Sequence, residues 1–220
     1  MVTTQPDLAG VEPAHRLGGI FRWLRAAFLA TIAGESLMLV GSVLVLLQDA
    51  PAYAPDAPLS VGEGIAGLGG VAYLVALIAS VVLFSRFSHR AMANLHKWGS
   101  RSAIMSPLMS WLWYLVPIAN LFKPLEAMRQ IWDGTKETAR HGLSVGQSIG
   151  WWWAFWIVTS ISGNASYRID PGPDGGTRDI SIWIDILSCA TGIAAALIIL
   201  PVLRKIAHAQ DSVADVNVFD

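Results

Sequence analysis

Residues 104–122 read IMSPLMSWLWYLVPIANLF, and whether this stretch crosses a bilayer decides the fold. It is apolar, but Pro107 and Pro117 lie inside it and Pro124 follows at once. A helix that crosses the ~30 Å hydrocarbon core needs roughly 20 apolar residues. The uninterrupted part, 111–122, is only about a dozen, a length that suits a re-entrant or interfacial piece. Pro117 would also remove a hydrogen bond from any helix running through it.

Working outward, four runs are long and apolar enough to span: 24–47, 63–84, 147–167 and 180–203. The first is too long, and starts too far into the chain, for a signal-peptide core of roughly 7–15 residues, so it reads as a retained anchor. Basic residues in short loops mark the cytoplasmic side. With four spans, thirteen of the 15 Lys and Arg residues fall on that side. They are Arg16, Arg22 and Arg25; then Arg86, Arg90, Lys97, Arg101, Lys123, Arg129, Lys136 and Arg140; then Arg204 and Lys205. Only Arg168 and Arg178 lie outside. If 104–122 also crossed, six of the thirteen would move outside, so charge favours four spans with both termini cytoplasmic.

Composition agrees. Of 220 residues, 54% are hydrophobic and 14% charged, against about 25% charged in a soluble domain. Fifteen basic residues balance 16 acidic ones, which excludes a basic nucleic-acid binder, and one cysteine, Cys189, excludes a disulfide scaffold. The expected fold is all-α. It is a polytopic membrane helix bundle of four transmembrane helices, with cytoplasmic-side amphipathic helices and a proline-broken segment. Residues 23–206 form the membrane domain, with the amphipathic and re-entrant insertion at 85–141. Residues 1–22 and 207–220 are polar and are expected as flexible cytoplasmic tails. Trp23, Trp151, Trp152 and Trp153 fall at cytoplasmic span ends and Trp183 at an outer end, as interface anchors would.

Within 85–141, Phe84, Phe87, Ala91, Leu95 and Trp98 share one helical stripe, and Arg86, Arg90, Lys97 and Arg101 lie nearly opposite. This pattern predicts a helix at the headgroups, with aromatics in the acyl boundary and the four basic residues toward anionic phosphates. Ser106-Pro107 reads as a helix start, with Ser at the N-cap and Pro next. A further helix is expected from Pro124, with Leu125, Met128, Trp132 and Ala139 on one face and mixed charges on the other. Gly62, Ala66 and Gly70 recur every four residues, a spacing that lets helices approach closely.

The candidate intramembrane polar residues are Glu35, Asp185 and Asn120. Glu35 is mid-span, where an acid faces the bundle or a water cavity and is a functional candidate by default. It is either a neutral acid bonding a neighbouring helix or a proton- or cation-coupled site. Asp185 lies near enough to the outer interface to snorkel. Pro117 frees a carbonyl close to the Asn120 amide, so the Pro117–Pro124 corner is either a packed turn or the lining of a cavity.

No P-loop, dinucleotide fingerprint, Gly-x-Ser-x-Gly or metal-ligand spacing occurs in the chain. No cofactor or metal is therefore expected, and a non-enzymatic scaffold or partner-binding role is favoured. A small transporter or channel subunit using Glu35 and the broken segment is the alternative, and a lipid-headgroup-binding or lipid-modifying protein the third. The expected partners are anionic headgroups, further copies of the chain, or a membrane protein.

Asn94, Ser106, Pro107, Trp111, Pro117, Asn120, Pro124 and Trp132 form a run that resembles the DUF4328 family of bacterial membrane proteins. The resemblance implies several spans in a bacterial cell membrane and a special central segment. It implies no activity and carries over no catalytic residue.

Overall fold

The computed structural model describes residues 14–47, 58–116, 118–139, 147–166, 168–169 and 178–216. Pro117, residues 48–57, 140–146, 167 and 170–177, and residues 1–13 and 217–220 lie outside them. All described secondary structure is helical. Helix α1 is Gly18–Leu47, α2 Val61–Lys97, α3 Met109–Leu112, α4 Lys123–Thr138, α5 Gln147–Ser166 and α6 Arg178–Val216. Three stretches, Gly18–Leu47, Val61–Lys97 and Asp179–Asp215, are long and apolar enough to cross a membrane. They bear exposed apolar side chains such as Leu68, Val71, Leu74, Val75 and Ile78 on their outer faces. A soluble monomer rarely shows so continuous an apolar surface. The chain is a multi-pass membrane protein.

Helix α2 begins with a reciprocal cap. The Glu63 amide donates to Ser60 Oγ at 3.2 Å, and the Ser60 amide to Glu63 Oε2 at 2.8 Å. These bonds satisfy two of the amides that a helix start leaves without partners. The helix ends at Gly99, whose φ of 67° lies where glycine costs least. That turn lets the Ser100 amide donate back to the Leu95 carbonyl at 3.0 Å.

Helices α1 and α2 pack along a seam of small residues. Glycines 34 and 41 of α1 face Tyr73, Gly69, Ala66 and Gly62 of α2. Positions 62, 66, 69 and 73 follow one face of a 3.6-residue helix. The four-residue repeat that included Gly70 drifts off that face, and a Cβ on Gly70 would meet nothing. Helix α5 packs along α6, and α6 along α1. Hydroxyls bridge the α1–α2 and α5–α6 seams: Thr31 and Ser80 are 3.2 Å apart, and Thr159 and Thr191 2.8 Å.

Beyond the spans, α2 and α6 continue without a break into a helical cap with α4 and the start of α1. Its core contains Leu17, Phe87, Met92, Leu95, Met128, Ile131, Trp132 and Ile206. Here two expectations change. The stripe of Phe84, Phe87, Ala91 and Leu95 is buried in this protein core, not laid on acyl chains, so 85–97 is the end of α2 and not a separate surface helix. Periodicity identified the buried face correctly but could not say what covers it. Residues 207–216, read as tail, are the last turns of α6, and Leu17 is fully buried.

The 104–122 stretch is broken, as its prolines require. It contains the four-residue α3 and two 3₁₀ turns, Trp113–Leu115 and Ala119–Leu121. The Met109 amide donates weakly to Ser106 Oγ at 3.4 Å, but α3 begins only at Met109 with Leu108 as its N-cap, so the helix start expected at Ser106-Pro107 lies two residues further on. Helix α4 begins with Pro124 in its first turn and buries Met128, Ile131 and Trp132 while exposing Glu126, Arg129, Asp133 and Lys136. Of the tryptophans read as interface anchors, Trp23, Trp151 and Trp183 are exposed. Trp152 and Trp153 are instead buried in the core, where Trp153 Nε1 donates to the Leu121 carbonyl at 3.2 Å.

Candidate functional site

Glu35 is only 4% exposed, and its Oε2 has no hydrogen-bond partner. Gly192 of α6 makes room for it, since a Cβ there would run into the Glu35 carboxyl group. Tyr73 of α2 and Cys189 of α6 lie within electrostatic reach. Asp185 is half-buried and lies one turn before Cys189 on α6. Three helices therefore converge on an acid whose Oε2 has no hydrogen-bond partner among the described residues. A buried carboxyl oxygen without a partner is costly and needs an explanation.

Asn120 is not part of this group. Its turn packs on α4 and on the Trp113–Leu115 turn. Its Oδ1 is also buried without a partner. Nearby, Tyr114 meets Phe84 edge-on at 5.8 Å, and Trp153 stacks on Trp156 at 4.6 Å. Pro117 lies outside the described residues, so only the Asn120 side of that corner can be placed.

The densest polar arrangement lies in the cap, around Asn94. The Asn94 side chain accepts from the His15 amide at 2.7 Å and donates to the His15 carbonyl at 2.8 Å. It also donates to Gln210 Oε1 at 3.1 Å, and Gln210 donates on to Thr135 Oγ1 at 2.9 Å. Asn94, Gln210 and Thr135 are all buried. One network thus joins the N-terminal approach, α2, α4 and α6. Asp211 adds a second link, accepting the Leu17 amide at 2.7 Å and the Gly18 amide at 2.9 Å. A carboxylate there caps two free amides and complements the positive end of the α1 dipole.

The loop after α2 is held onto α4 by two side chains. Gln130 Oε1 accepts the Ile104 and Met105 amides at 3.1 and 2.8 Å. Glu137 accepts from the hydroxyls of Ser100 and Ser102 and the amides of Arg101 and Ser102. The Ser100 hydroxyl, followed by those amides, holds the Glu137 carboxyl below its ordinary range. Sequence reading found Asn94, Pro124 and Trp132 of this cap but missed Thr135, Gln210, Asp211, Gln130 and Glu137. Only a polar residue on the buried face of a predicted helix could have flagged Gln210. Arg86 and Arg90 are exposed and Lys97 half-buried on the flank of α2 opposite the buried stripe, and Arg101 is exposed in the turn that follows α2.

A family model described as Domain of unknown function (DUF4328) matches residues 53–208. That range takes in α2 to most of α6, and with them Glu35's neighbours and α4, while His15, Glu35, Gln210 and Asp211 lie outside it. No curated protein and no solved structure matches the chain.

Proposed function

The chain belongs to the DUF4328 family, and from that premise we propose that it is a four-span bacterial membrane protein whose cytoplasmic cap docks a partner protein. The four spans are α1, α2, α5 and α6. Support for the fourth comes from chain direction. The start of α1, the end of α2 and the end of α6 share one end, as the Leu17–Asp211 and Asn94–Gln210 bonds require. Helix α4 is at that end too, with Gly134 against Leu95. The chain must then travel to the far end before α6 returns, and α5 does this alongside α6. Its 20 residues rise about 30 Å, the thickness of the hydrocarbon core. Tryptophans and hydroxyls lower its hydropathy, and α6 shields much of that polarity. On this reading 104–122 is interfacial, with exposed Leu108, Leu115 and Ile118 against lipid.

The observation that carries the docking role is a recess of about 440 Å³ on the outer face of the cap. Phe122 and Leu125 contribute apolar floor, and Glu126, Arg129 and Asp133 a mixed-charge rim. An apolar centre with a polar rim is the anatomy of a protein interface. The rigid hydrogen-bonded cap beneath it holds that surface in one shape, which lowers the cost of binding. A photo-crosslinking residue placed at Asp133 in cells is expected to give a discrete protein adduct, while one at Val71 on the lipid face gives none. A maleimide that cannot cross membranes is expected to label a cysteine at Lys123, in a Cys189→Ala background, only after the membrane is opened. Labelling of intact cells would overturn the four-span topology, and an adduct-free Asp133 would overturn the docking role.

One observation favours a second reading, the unpartnered carboxyl of Glu35. It would serve a proton- or cation-coupled site between α1, α2 and α6. In vesicles, Glu35→Gln is then expected to abolish a proton or cation flux that the folded wild-type protein supports. A wild-type protein that conducts nothing, or a variant that conducts equally, removes this reading.

A further inference from the structure

A groove of about 690 Å³ runs between α1 and α6 where both leave the membrane. Its inner part is lined by Leu197, Leu200 and Pro201 of α6, while Phe21 of α1 lies at the cap end, one turn outward of Arg25. Its outer part carries Arg25 from α1 and Arg204, Lys205 and His208 from α6. Along α6 the lining changes from apolar at Leu197 to basic at Lys205 within eight residues, about 12 Å of rise. That is the order of an acyl chain followed by its headgroup.

Charge at this end is not evenly spread. Arg16 is paired with Asp215 at 2.8 Å, and Lys123 with Glu126 at 2.7 Å. Asp211 is engaged by the first amides of α1. The acids at the end of α6 are thus already used, while Arg25, Arg204 and Lys205 face the groove with no carboxylate within ion-pair distance among the described residues. Three cations from two helices converge on one concavity that continues into an apolar trough.

We propose that this groove binds one anionic phospholipid, its phosphate between Arg25, Arg204 and Lys205 and an acyl chain along Leu197, Leu200 and Pro201. The site rests on the membrane reading above, with this end at the cytoplasmic leaflet, but not on the docking role of the cap. Bound lipid would tie the start of α1 to α6 at the base of the cap.

The test uses the full chain in nanodiscs of phosphatidylcholine doped with phosphatidylglycerol. Retention of phosphatidylglycerol after transfer to detergent is read by native mass spectrometry. The wild-type protein is expected to keep one anionic lipid. Each of Arg25→Gln, Arg204→Gln and Lys205→Gln weakens that retention about fivefold, from the usual attraction of one basic residue to an anionic lipid. A control triple variant, Arg86→Gln, Arg90→Gln and Arg101→Gln, keeps it. Equal loss in the control would mean diffuse surface charge and would overturn the site. Displacement by millimolar inorganic phosphate would mean a free-anion site without a lipid tail, and would overturn it also. A photoactivatable phosphatidylglycerol on the unaltered protein gives a readout free of folding effects. Adducts are expected in 21–25 and 197–209, and adducts confined to other regions would refute the groove.

Discussion

Replacing Gly41 with leucine is expected to prevent the α1–α2 pair from assembling. A Cβ at this position would lie 2.6 Å from the Gly62 carbonyl oxygen and 2.8 Å from Ala66 Cα. Both obstacles are backbone, so no rotamer change relieves the clash and the helices must part along the seam. Gly69 and Gly34 are as tightly placed against the partner helix. Parting would also separate the Thr31 and Ser80 hydroxyls. In lipid the loss falls on van der Waals packing and interhelical hydrogen bonds, which are what hold spans together. Overpacking a close seam costs about 1–3 kcal/mol, more where backbone is the obstacle. The loss expected here is at least about 3 kcal/mol, read as lost monodispersity or a lower unfolding temperature in detergent. Gly67→Ala is the control, because a Cβ there meets nothing within 4 Å. It should be neutral or slightly stabilising, since glycine inside a helix costs roughly 0.5–1 kcal/mol relative to alanine. If Gly41→Leu is as stable as Gly67→Ala, the close seam is wrong.

The second large effect is expected from Asn94→Leu. The substitution keeps the branching and number of side-chain heavy atoms but removes the acceptor of the His15 amide and the donors to the His15 carbonyl and Gln210. Each buried group left without a partner costs about 1–3 kcal/mol. A total loss of about 4 kcal/mol is expected, or roughly 10 °C in unfolding temperature for a chain of this size. Protease should then cut first within 14–17 and near the end of α6. Asn94 and Gln210 act in one network, so a Gln210→Leu variant should lose less in the Asn94→Leu background than alone. Additive losses would show that the two side chains are not coupled.

Much of the fold was legible in the residues, and particular positions show where legibility stopped. The prolines at 107 and 124 and the spacing of apolar runs located the membrane part of the long helices among the described residues, though not how far α2 and α6 continue, because backbone hydrogen bonding and bilayer thickness act on local sequence. The stripe from Phe84 to Leu95 was legible as a buried face, but its cover was not. Lipid and protein are both apolar, and only the arrival of α4 and α6 distinguishes them. Glu35 stood out as an acid in an apolar run, whereas its seat against Gly192 lies far along the chain on a helix whose rotation no local pattern sets. Asn94 stood out only through its place in the family-like run. Its partners His15 and Gln210 are 79 and 116 residues away.

The sequence by itself determined that this chain is helical and membrane-embedded, where its apolar runs lie, that 104–122 is broken, and that basic charge gathers toward one end. Those properties follow from composition, period and proline chemistry, each of which acts within a few turns of chain. The tertiary structure alone decided that α2 and α6 run on into a shared cap, that a buried amide network locks it, and that three cations without acidic partners flank a groove between α1 and α6. Those are contacts between distant residues, and they are fixed only when helix rotation and register are chosen together by packing.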